Sequence, residues 1–165
     1  QNGDLFPDLL ASLRAKAPSN VRIIDEVWAY QDVKRLIAGA DALVSLHRAE
    51  GFGLVLAEAM ALRTPVVATA FSGNLDFMDE TCALLVPSHP VQVADPQGIY
   101  RGQSWAEPDV TAAAQALVRL RNEPDLRERL AEAGQRMVAQ KLSPQAWFRT
   151  LPPAVQTAAL SSGGR

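Results

Sequence analysis

Apolar residues in the first half of the chain alternate between helical and strand-like patterns. Helix-forming residues and apolar side chains at helical spacing predict helices at 4–17, 32–40, 54–62 and 74–79. Short apolar runs predict buried strands at 21–25, 41–46, 65–69 and 83–86. Helices that alternate with strands in this way predict an α/β domain with a doubly wound parallel sheet and right-handed crossovers.

The second half of the chain has a different pattern. Proline and glycine recur through 87–108, which predicts a long loop or a small β-ribbon. Capping residues and apolar spacing then predict three helices, from Asp109 to about residue 122, over 125–141 and from Ser143 to about residue 148. We therefore predict one domain over 1–150 and a tail over 151–165 that is poorly ordered at its end.

Composition and charge fit a soluble globular domain. The chain has 165 residues, of which 48% are hydrophobic and 21% charged, and its net charge is −2. That charge argues against broad electrostatic binding of nucleic acid. The single cysteine, Cys82, excludes an internal disulfide and fits a reducing compartment. We find neither a signal peptide nor an apolar run long enough to cross a bilayer, so we expect a cytoplasmic location, with peripheral contact at the inner face of the membrane left open.

The candidate chemistry is concentrated in the segment 45–60. Two acids, Glu50 and Glu58, are separated by seven residues, and Gly51-Phe52-Gly53 follows the first. A helix that starts near Gly53 directs unpaired backbone N–H groups and the positive end of its dipole at the loop. Ligands of open α/β sheets bind at the carboxyl ends of strands, and this loop follows a predicted strand. Because a diphosphate fits such a helix N-terminus, the segment predicts a site for an anionic nucleotide-sugar.

The run from Asp41 to about Pro87 resembles the C-terminal domain of family-four retaining glycosyltransferases of the GT-B fold. The glutamate pair with Gly-Phe-Gly is the motif of that family, and it is supported by matches at 45–48, 65–69, 72–74, 84–87 and 105–109. The first and last of these matches resemble a bacterial subgroup associated with polysaccharide assembly. The resemblance covers roughly 21–148. It implies a Rossmann-like donor-binding domain of a hexosyltransferase that uses a UDP- or GDP-sugar as its substrate and needs no metal or other cofactor.

The resemblance also implies roles for individual residues. Glu50 would lie beside the donor sugar, hold its hydroxyls and stabilise positive charge at the anomeric carbon. Glu58 would accept charge-assisted hydrogen bonds from the ribose hydroxyls of the nucleotide. The backbone N–H groups of Gly51, Phe52 and Gly53 would bind the sugar hydroxyls. Those of Leu54 and Val55 would bind the diphosphate.

Further candidates for substrate contact lie at the same edge of the predicted sheet. His47 follows a strand and faces the loop, so it either touches the donor or is satisfied by local hydrogen bonds. Ser72 and Gly73 follow the next strand and either contact the sugar or form the turn. Arg48 is interpreted as a solvent-facing charge, with a role near the phosphates as the alternative.

The sequence departs from the family pattern in two ways. Arg63 stands where the family usually has glycine, and a left-handed residue there costs a side chain on the order of 1 kcal/mol. We therefore expect this helix end to be built differently. The strand, helix and strand that normally open the domain are missing, as is the N-terminal domain that binds the acceptor. The chain is thus interpreted as a fragment, inactive alone, whose exposed edge strand predicts self-association.

The favoured function is transfer of a hexose-type sugar from a nucleotide-sugar to a glycan or lipid-linked acceptor. Two alternatives stay open: a nucleotide-sugar epimerase or phosphorylase on the same scaffold, and a non-catalytic binding module of the same fold. A dinucleotide-binding dehydrogenase is disfavoured because no Gly-x-Gly-x-x-Gly follows a first strand. The two distant histidines, His47 and His89, and the cysteine show no metal-ligand spacing.

Overall fold

The computed structural model describes residues 7–94 and 98–162 of the chain. Its helices are α1 (Pro7–Lys16), α2 (Tyr30–Ala38), α3 (Leu54–Ala61), α4 (Val110–Asn122), α5 (Pro124–Lys141), α6 (Pro144–Thr150) and α7 (Pro153–Ser162). Its strands are β1 (Leu43–Ser45), β2 (Val66–Thr69), β3 (Leu84–Val86), β4 (Ser88–Gln92) and β5 (Ser104–Pro108). Residues 1–30 and 31–165 form two separate units.

The first unit contains α1 and the segment that follows it. α1 confirms the helix predicted over 4–17, of which residues 4–6 lie outside the described part. The strand predicted at 21–25 is wrong. The Val21 N–H donates to the Pro18 carbonyl in a turn, and no strand in the described residues pairs with this segment. A strand is stable only where a neighbour takes up its backbone groups, and the apolar run could not show whether such a neighbour exists.

The main sheet of the second unit is parallel, with the strand order β1-β2-β3. All four residues of the central strand β2 are buried, as expected for a strand covered by helices on both faces. The strands predicted at 41–46, 65–69 and 83–86 are confirmed with shorter bounds. Among the described residues β1 pairs with β2 alone, and Val44 at that edge is 42% exposed.

Alternate side chains of β2 point into two apolar clusters. Val66 and Ala68 pack with Leu56 of α3 on one face, whereas Val67 packs with Leu120 of α4 on the other. α5 contributes to both clusters. Full burial of one such leucine stabilises the fold by about 1.5–3 kcal/mol, so the first cluster holds α3 against one face of the sheet and the second holds α4 against the other.

α2 and α3 confirm the helices predicted at 32–40 and 54–62, but α3 ends in an unexpected way. Arg63 adopts the left-handed conformation, with φ 63°, so the expectation of a different helix end is wrong. The Arg63 guanidinium forms an ion pair with Glu128 of α5 and lies 3.6 Å from the Glu132 carboxylate. Exposed ion pairs contribute up to about 1 kcal/mol, which offsets a backbone strain of similar size.

The proline- and glycine-rich stretch forms the predicted ribbon rather than an open loop. β4 and β5 are antiparallel, with Ser88 opposite Pro108 and Gln92 opposite Ser104. Residues 95–97 between them lie outside the described part. The Ala106 N–H donates to the Arg48 carbonyl at 2.9 Å, which ties the ribbon to the loop that follows β1.

The C-terminal helices begin where their capping residues predict. The Asp109 carboxylate accepts from the Ala112 N–H, and the Ser143 hydroxyl accepts from the Ala146 N–H. α7 lies within the predicted tail and is a helix that the sequence pattern does not predict. Of the poorly ordered end predicted there, residues 163–165 lie outside the described part. No helix in the described residues has both the length and the apolar character needed to span a membrane.

Candidate functional site

The candidate site lies in the loop that joins β1 to α3. Gly53 precedes the helix with φ 96° and ψ 41°, in the left-handed region that favours glycine. A Cβ atom there would also meet Asn74, Leu56 and Phe77, each at 3.3 Å. Gly53 is therefore required by both conformation and packing. Gly51 is different, because its φ is not positive and a Cβ atom there would meet nothing within 4 Å.

Glu50 is held in place by its own loop and by the turn after β2. Its Oε1 atom accepts from the Gly53 N–H at 2.9 Å and from the Phe52 N–H at 3.3 Å. Its carbonyl accepts from the Ser72 hydroxyl at 2.7 Å and from the Gly73 N–H at 3.2 Å. The carboxylate thus sits against the positive end of α3. In this arrangement the Phe52 and Gly53 N–H groups donate to the Glu50 carboxylate. They could bind a sugar hydroxyl only if that carboxylate moved.

The turn after β2 combines backbone strain with close packing. Ser72 has φ 77° and ψ −151°, a region occupied almost only by glycine and costing on the order of 1–3 kcal/mol. A Cβ atom on Gly73 would lie 2.3 Å from the Gly51 oxygen. The helix predicted at 74–79 is a 3₁₀ turn over Gly73–Asp76 instead. Ser72 and Gly73 therefore form the turn that positions Glu50, and their contact with a sugar stays a prediction.

Both ring nitrogens of His47 are used within the protein. Nδ1 lies 3.0 Å from the Ser45 hydroxyl, and Nε2 lies 3.0 Å from the Phe71 carbonyl. Since a carbonyl only accepts, Nε2 carries the proton and Nδ1 accepts from the serine. His47 thus links the ends of β1 and β2 by local hydrogen bonds, and a contact between its ring and a donor stays a prediction.

Glu58 lies on the second turn of α3 and is half-buried. It lines a cavity of about 520 Å³ together with Leu54 at the helix start and Trp147 on α6. The rise of an α-helix places Glu58 roughly 6 Å along the axis from Leu54. A ligand that binds both the N-terminal N–H groups of α3 and Glu58 would therefore run along this helix.

Arg48 is exposed, as the sequence indicated, but its guanidinium also has two partners on the ribbon. Its Nη2 atom lies 2.7 Å from Oε2 of Glu107, and its guanidinium carbon lies 5.0 Å from the centroid of the Trp105 ring. Both partners are on β5, so they lie 57 and 59 residues away in the chain. The ion pair and the cation–π contact add to the backbone bond that joins the ribbon to the segment just before Glu50.

One buried residue beside the site was missed by sequence reasoning. Asn74 is fully buried next to Gly53, and its Nδ2 donates to the Thr69 carbonyl at 3.1 Å. Asn74 Oδ1 and Thr69 Oγ1 have no hydrogen-bond partner among the described residues. An unpaired buried polar atom costs about 1–3 kcal/mol, so the packing of Asn74 and Thr69 beside the loop stabilises the fold less than apolar side chains would. The only signal in the sequence was an asparagine placed directly after the Ser-Gly turn.

Two titratable groups after this turn have shifted pKa values. The Thr81 hydroxyl and N–H donate to the Asp79 carboxylate and lower its pKa. Burial raises the pKa of the Cys82 thiol, which makes it a weak nucleophile at neutral pH. In the part of the chain that the structure describes, no group of three or more His, Cys, Asp or Glu side chains is arranged to hold a metal ion.

Comparison with known proteins extends this description. The family model described as "Glycosyl transferases group 1" matches residues 3–123. The D-inositol 3-phosphate glycosyltransferase of Saccharomonospora viridis is 34% identical over 121 residues, which cover 73% of this chain and 23% of the relative. A sucrose-phosphate synthase from Thermosynechococcus elongatus has a similar structure, with a TM-score of 0.64 and 24% identity over 94% of this chain and 33% of that chain. The chain thus spans about a quarter to a third of these proteins, and the predicted α/β fold with a parallel sheet and C-terminal helices is confirmed.

Proposed function

We propose that this chain, which belongs to the group 1 glycosyl transferase family, is the donor-binding part of a retaining glycosyltransferase. The donor is a nucleotide-sugar such as a UDP- or GDP-hexose, and the sugar passes to a glycan or lipid-linked acceptor. We assign the acceptor site to a partner domain outside this chain. We place the reaction in bacterial polysaccharide assembly, at the cytoplasmic face of the membrane.

The observation that carries the proposal is the preorganised start of α3. The helix begins at the carboxyl end of a parallel strand, where ligands of open α/β sheets bind. Its first N–H groups, on Leu54 and Val55, have no partner within the helix and carry the positive end of the dipole. They suit a leaving diphosphate without requiring a metal ion, so we assign the charge-stabilising role to the helix.

Glu50 is the catalytic residue of the proposal. Its carboxylate uses Oε1 to bind the loop, and a carboxylate has further lone pairs with which to accept from sugar hydroxyls. A negative charge at this position stabilises the positive charge that develops at the anomeric carbon. Gly51, Phe52 and Gly53 form the wall of the sugar site, and His47, Ser72 and Gly73 hold that wall in position.

In the same proposal, Glu58 binds the ribose of the nucleotide. Two vicinal hydroxyls that donate to one carboxylate form charge-assisted hydrogen bonds, each stronger than a neutral one. The distance of roughly 6 Å between Leu54 and Glu58 along α3 matches a ligand whose diphosphate lies at the helix start and whose ribose lies one turn further on.

The first test is thermal unfolding of the protein with UDP, GDP, ADP and CMP in turn. A nucleotide at one hundred times its dissociation constant should add roughly 2.7 kcal/mol of stability. Glu58→Ala should lose most of this gain, because losing hydrogen bonds to a charged group costs roughly 1.5–3 kcal/mol. Glu80→Ala, at an exposed glutamate outside the loop, is the matched control and should keep it. No stabilisation of the full-length protein by any nucleotide would refute the donor-binding role.

The second test separates the two glutamates in the full-length enzyme. Glu50→Ala should mainly lower kcat, whereas Glu58→Ala should mainly raise KM for the donor. Unchanged kinetics in both variants would reject the assignment. Product analysis tests the alternatives, since release of free UDP or GDP together with a glycosylated acceptor marks a transferase rather than an epimerase.

A further inference from the structure

A second cavity lies at the same sheet edge as the Glu50 loop. Its volume is about 360 Å³, and it is enclosed between the β4–β5 ribbon and residues 70–71, which follow β2. Phe71 is one of its lining residues, and the Phe71 carbonyl accepts from Nε2 of His47, three residues before Glu50. This volume is at the lower end of the range for small-ligand sites. The cavity therefore adjoins the candidate reaction centre and suits a ligand of modest size.

The walls of this cavity combine partly exposed aromatic rings with neutral polar groups. The rings are Phe71, which is 38% exposed, and Trp105, which is half-buried. Ser88, His89 and Ser104 supply two hydroxyls and an imidazole. The Ser104 hydroxyl already accepts from Gln92 Nε2 at 2.9 Å, which leaves its own proton to donate.

The position of the Trp105 ring is set before any ligand arrives. Arg48 stacks on the ring at 5.0 Å, and Glu107 on the same strand holds the Arg48 guanidinium at 2.7 Å. Within the described residues neither Trp105 Nε1 nor the His89 ring forms a hydrogen bond. A ligand would thus find an ordered ring and open donors, so binding costs little side-chain entropy.

The chemistry of the lining selects the class of ligand. Among the described residues that line the cavity, none is a lysine, arginine, aspartate or glutamate. A phosphate or a metal ion would therefore find no opposite charge to offset its loss of hydration. A flat apolar molecule would leave the hydroxyls and the imidazole unpaired. A neutral ring with an apolar C–H face and hydroxyls around its edge matches both the aromatic and the polar groups.

We propose that the cavity between the β4–β5 ribbon and Phe71 is a pyranose-binding subsite, in which Trp105 stacks on the sugar and His89 and Ser88 bind its hydroxyls. The proposal rests on the proposed function, because it gives a saccharide substrate a place beside Glu50. The pyranose is either the terminal sugar of the acceptor or the sugar of the donor.

Saturation-transfer NMR on the full-length protein tests this subsite with the methyl pyranosides of glucose, galactose, mannose and N-acetylglucosamine. At least one glycoside should bind saturably in the millimolar range. Trp105→Ala should abolish the transfer signal, and His89→Ala should raise Kd by about five- to ten-fold through the loss of a hydrogen bond. Gln103→Ala, at an exposed residue beside the ribbon but outside the cavity lining, is the matched control and should leave Kd unchanged.

Absence of saturable binding by all four glycosides would overturn the subsite, as would binding that both variants retain. UDP and GDP binding is measured in parallel with Glu58→Ala. If no glycoside binds but UDP or GDP does, the subsite alone is rejected. If a glycoside binds but neither nucleotide does, the proposed function alone is rejected. Displacement of the glycoside by the nucleotide-sugar, but not by the nucleotide, assigns the subsite to the donor. Simultaneous binding of glycoside and nucleotide-sugar assigns it to the acceptor.

Discussion

Replacing Gly73 by alanine should show how tightly the turn after β2 supports the Glu50 loop. The new Cβ atom would lie 2.3 Å from the Gly51 oxygen, 2.7 Å from the Gly51 carbonyl carbon and 2.9 Å from the Phe52 Cα. All three are backbone atoms, so no side chain can rotate away to make room. The turn and the loop must separate by about 1 Å to reach ordinary contact.

The cost of that separation follows from the contacts it disturbs. Overpacking of this kind costs about 1–3 kcal/mol. The Gly73 N–H reaches the Glu50 carbonyl at 3.2 Å, already the long end of the normal range, so the shift breaks this bond and costs about 0.5–1.5 kcal/mol more. We expect the Gly73→Ala variant to lose roughly 2–4 kcal/mol of unfolding free energy, with Glu50 displaced.

Urea-induced unfolding measures this loss as a lower midpoint urea concentration, while the dependence of the unfolding free energy on urea stays unchanged. Gly51→Ala is the matched control, because it adds the same methyl group to a glycine of the same loop where nothing lies within 4 Å. Its unfolding free energy should change by no more than about 1 kcal/mol. The change should be stabilising if the main effect of alanine is to restrict the conformations of the unfolded chain. If the two variants unfold within about 0.5 kcal/mol of each other, the close approach of Gly73 to the loop does not limit stability and our reasoning fails.

Three further predictions concern residues outside the loop. Arg63→Gly should be more stable than Arg63→Ala by about 1 kcal/mol in urea unfolding, because both lose the ion pairs with α5 but only glycine relieves the left-handed strain. Asp109→Ala should cost about 1 kcal/mol by removing the cap of α4, and an unchanged melting temperature would contradict this. The lowered pKa of Asp79 means that its carboxylate stabilises the fold above its unfolded value of 3.8 and that this contribution disappears as the pH falls through the folded pKa. Asp79→Asn should therefore destabilise the protein at pH 7 and match wild type near pH 2, and an equal difference at both pH values would count against the Thr81 hydrogen bonds as the cause.

Several elements could be predicted because their causes are local in the chain. The run around β2 is apolar except for Thr69, so it becomes the buried centre of the sheet. Asp109 and Ser143 cap helices through bonds to N–H groups three residues later. The start of α3 at Gly53 follows from helix-forming residues within one segment.

The errors share a different cause. The run at 21–25 has the composition of a strand, but a strand depends on a partner that the run itself does not contain. Arg63 was expected to avoid the left-handed region, yet acids on α5 hold it there.

The sequence by itself determined the α/β class, the position of the glutamate motif and the start of its helix, because these depend on residues within a few positions of one another. Only the tertiary structure decided which glycines around Glu50 have no room for a side chain and how Glu50 is held. A Cβ atom on Gly51 would meet nothing within 4 Å, whereas one on Gly73 would collide with the backbone of Gly51 and Phe52. Contacts of this kind join segments more than twenty residues apart, and their distances exist only once the two strand ends have been brought side by side.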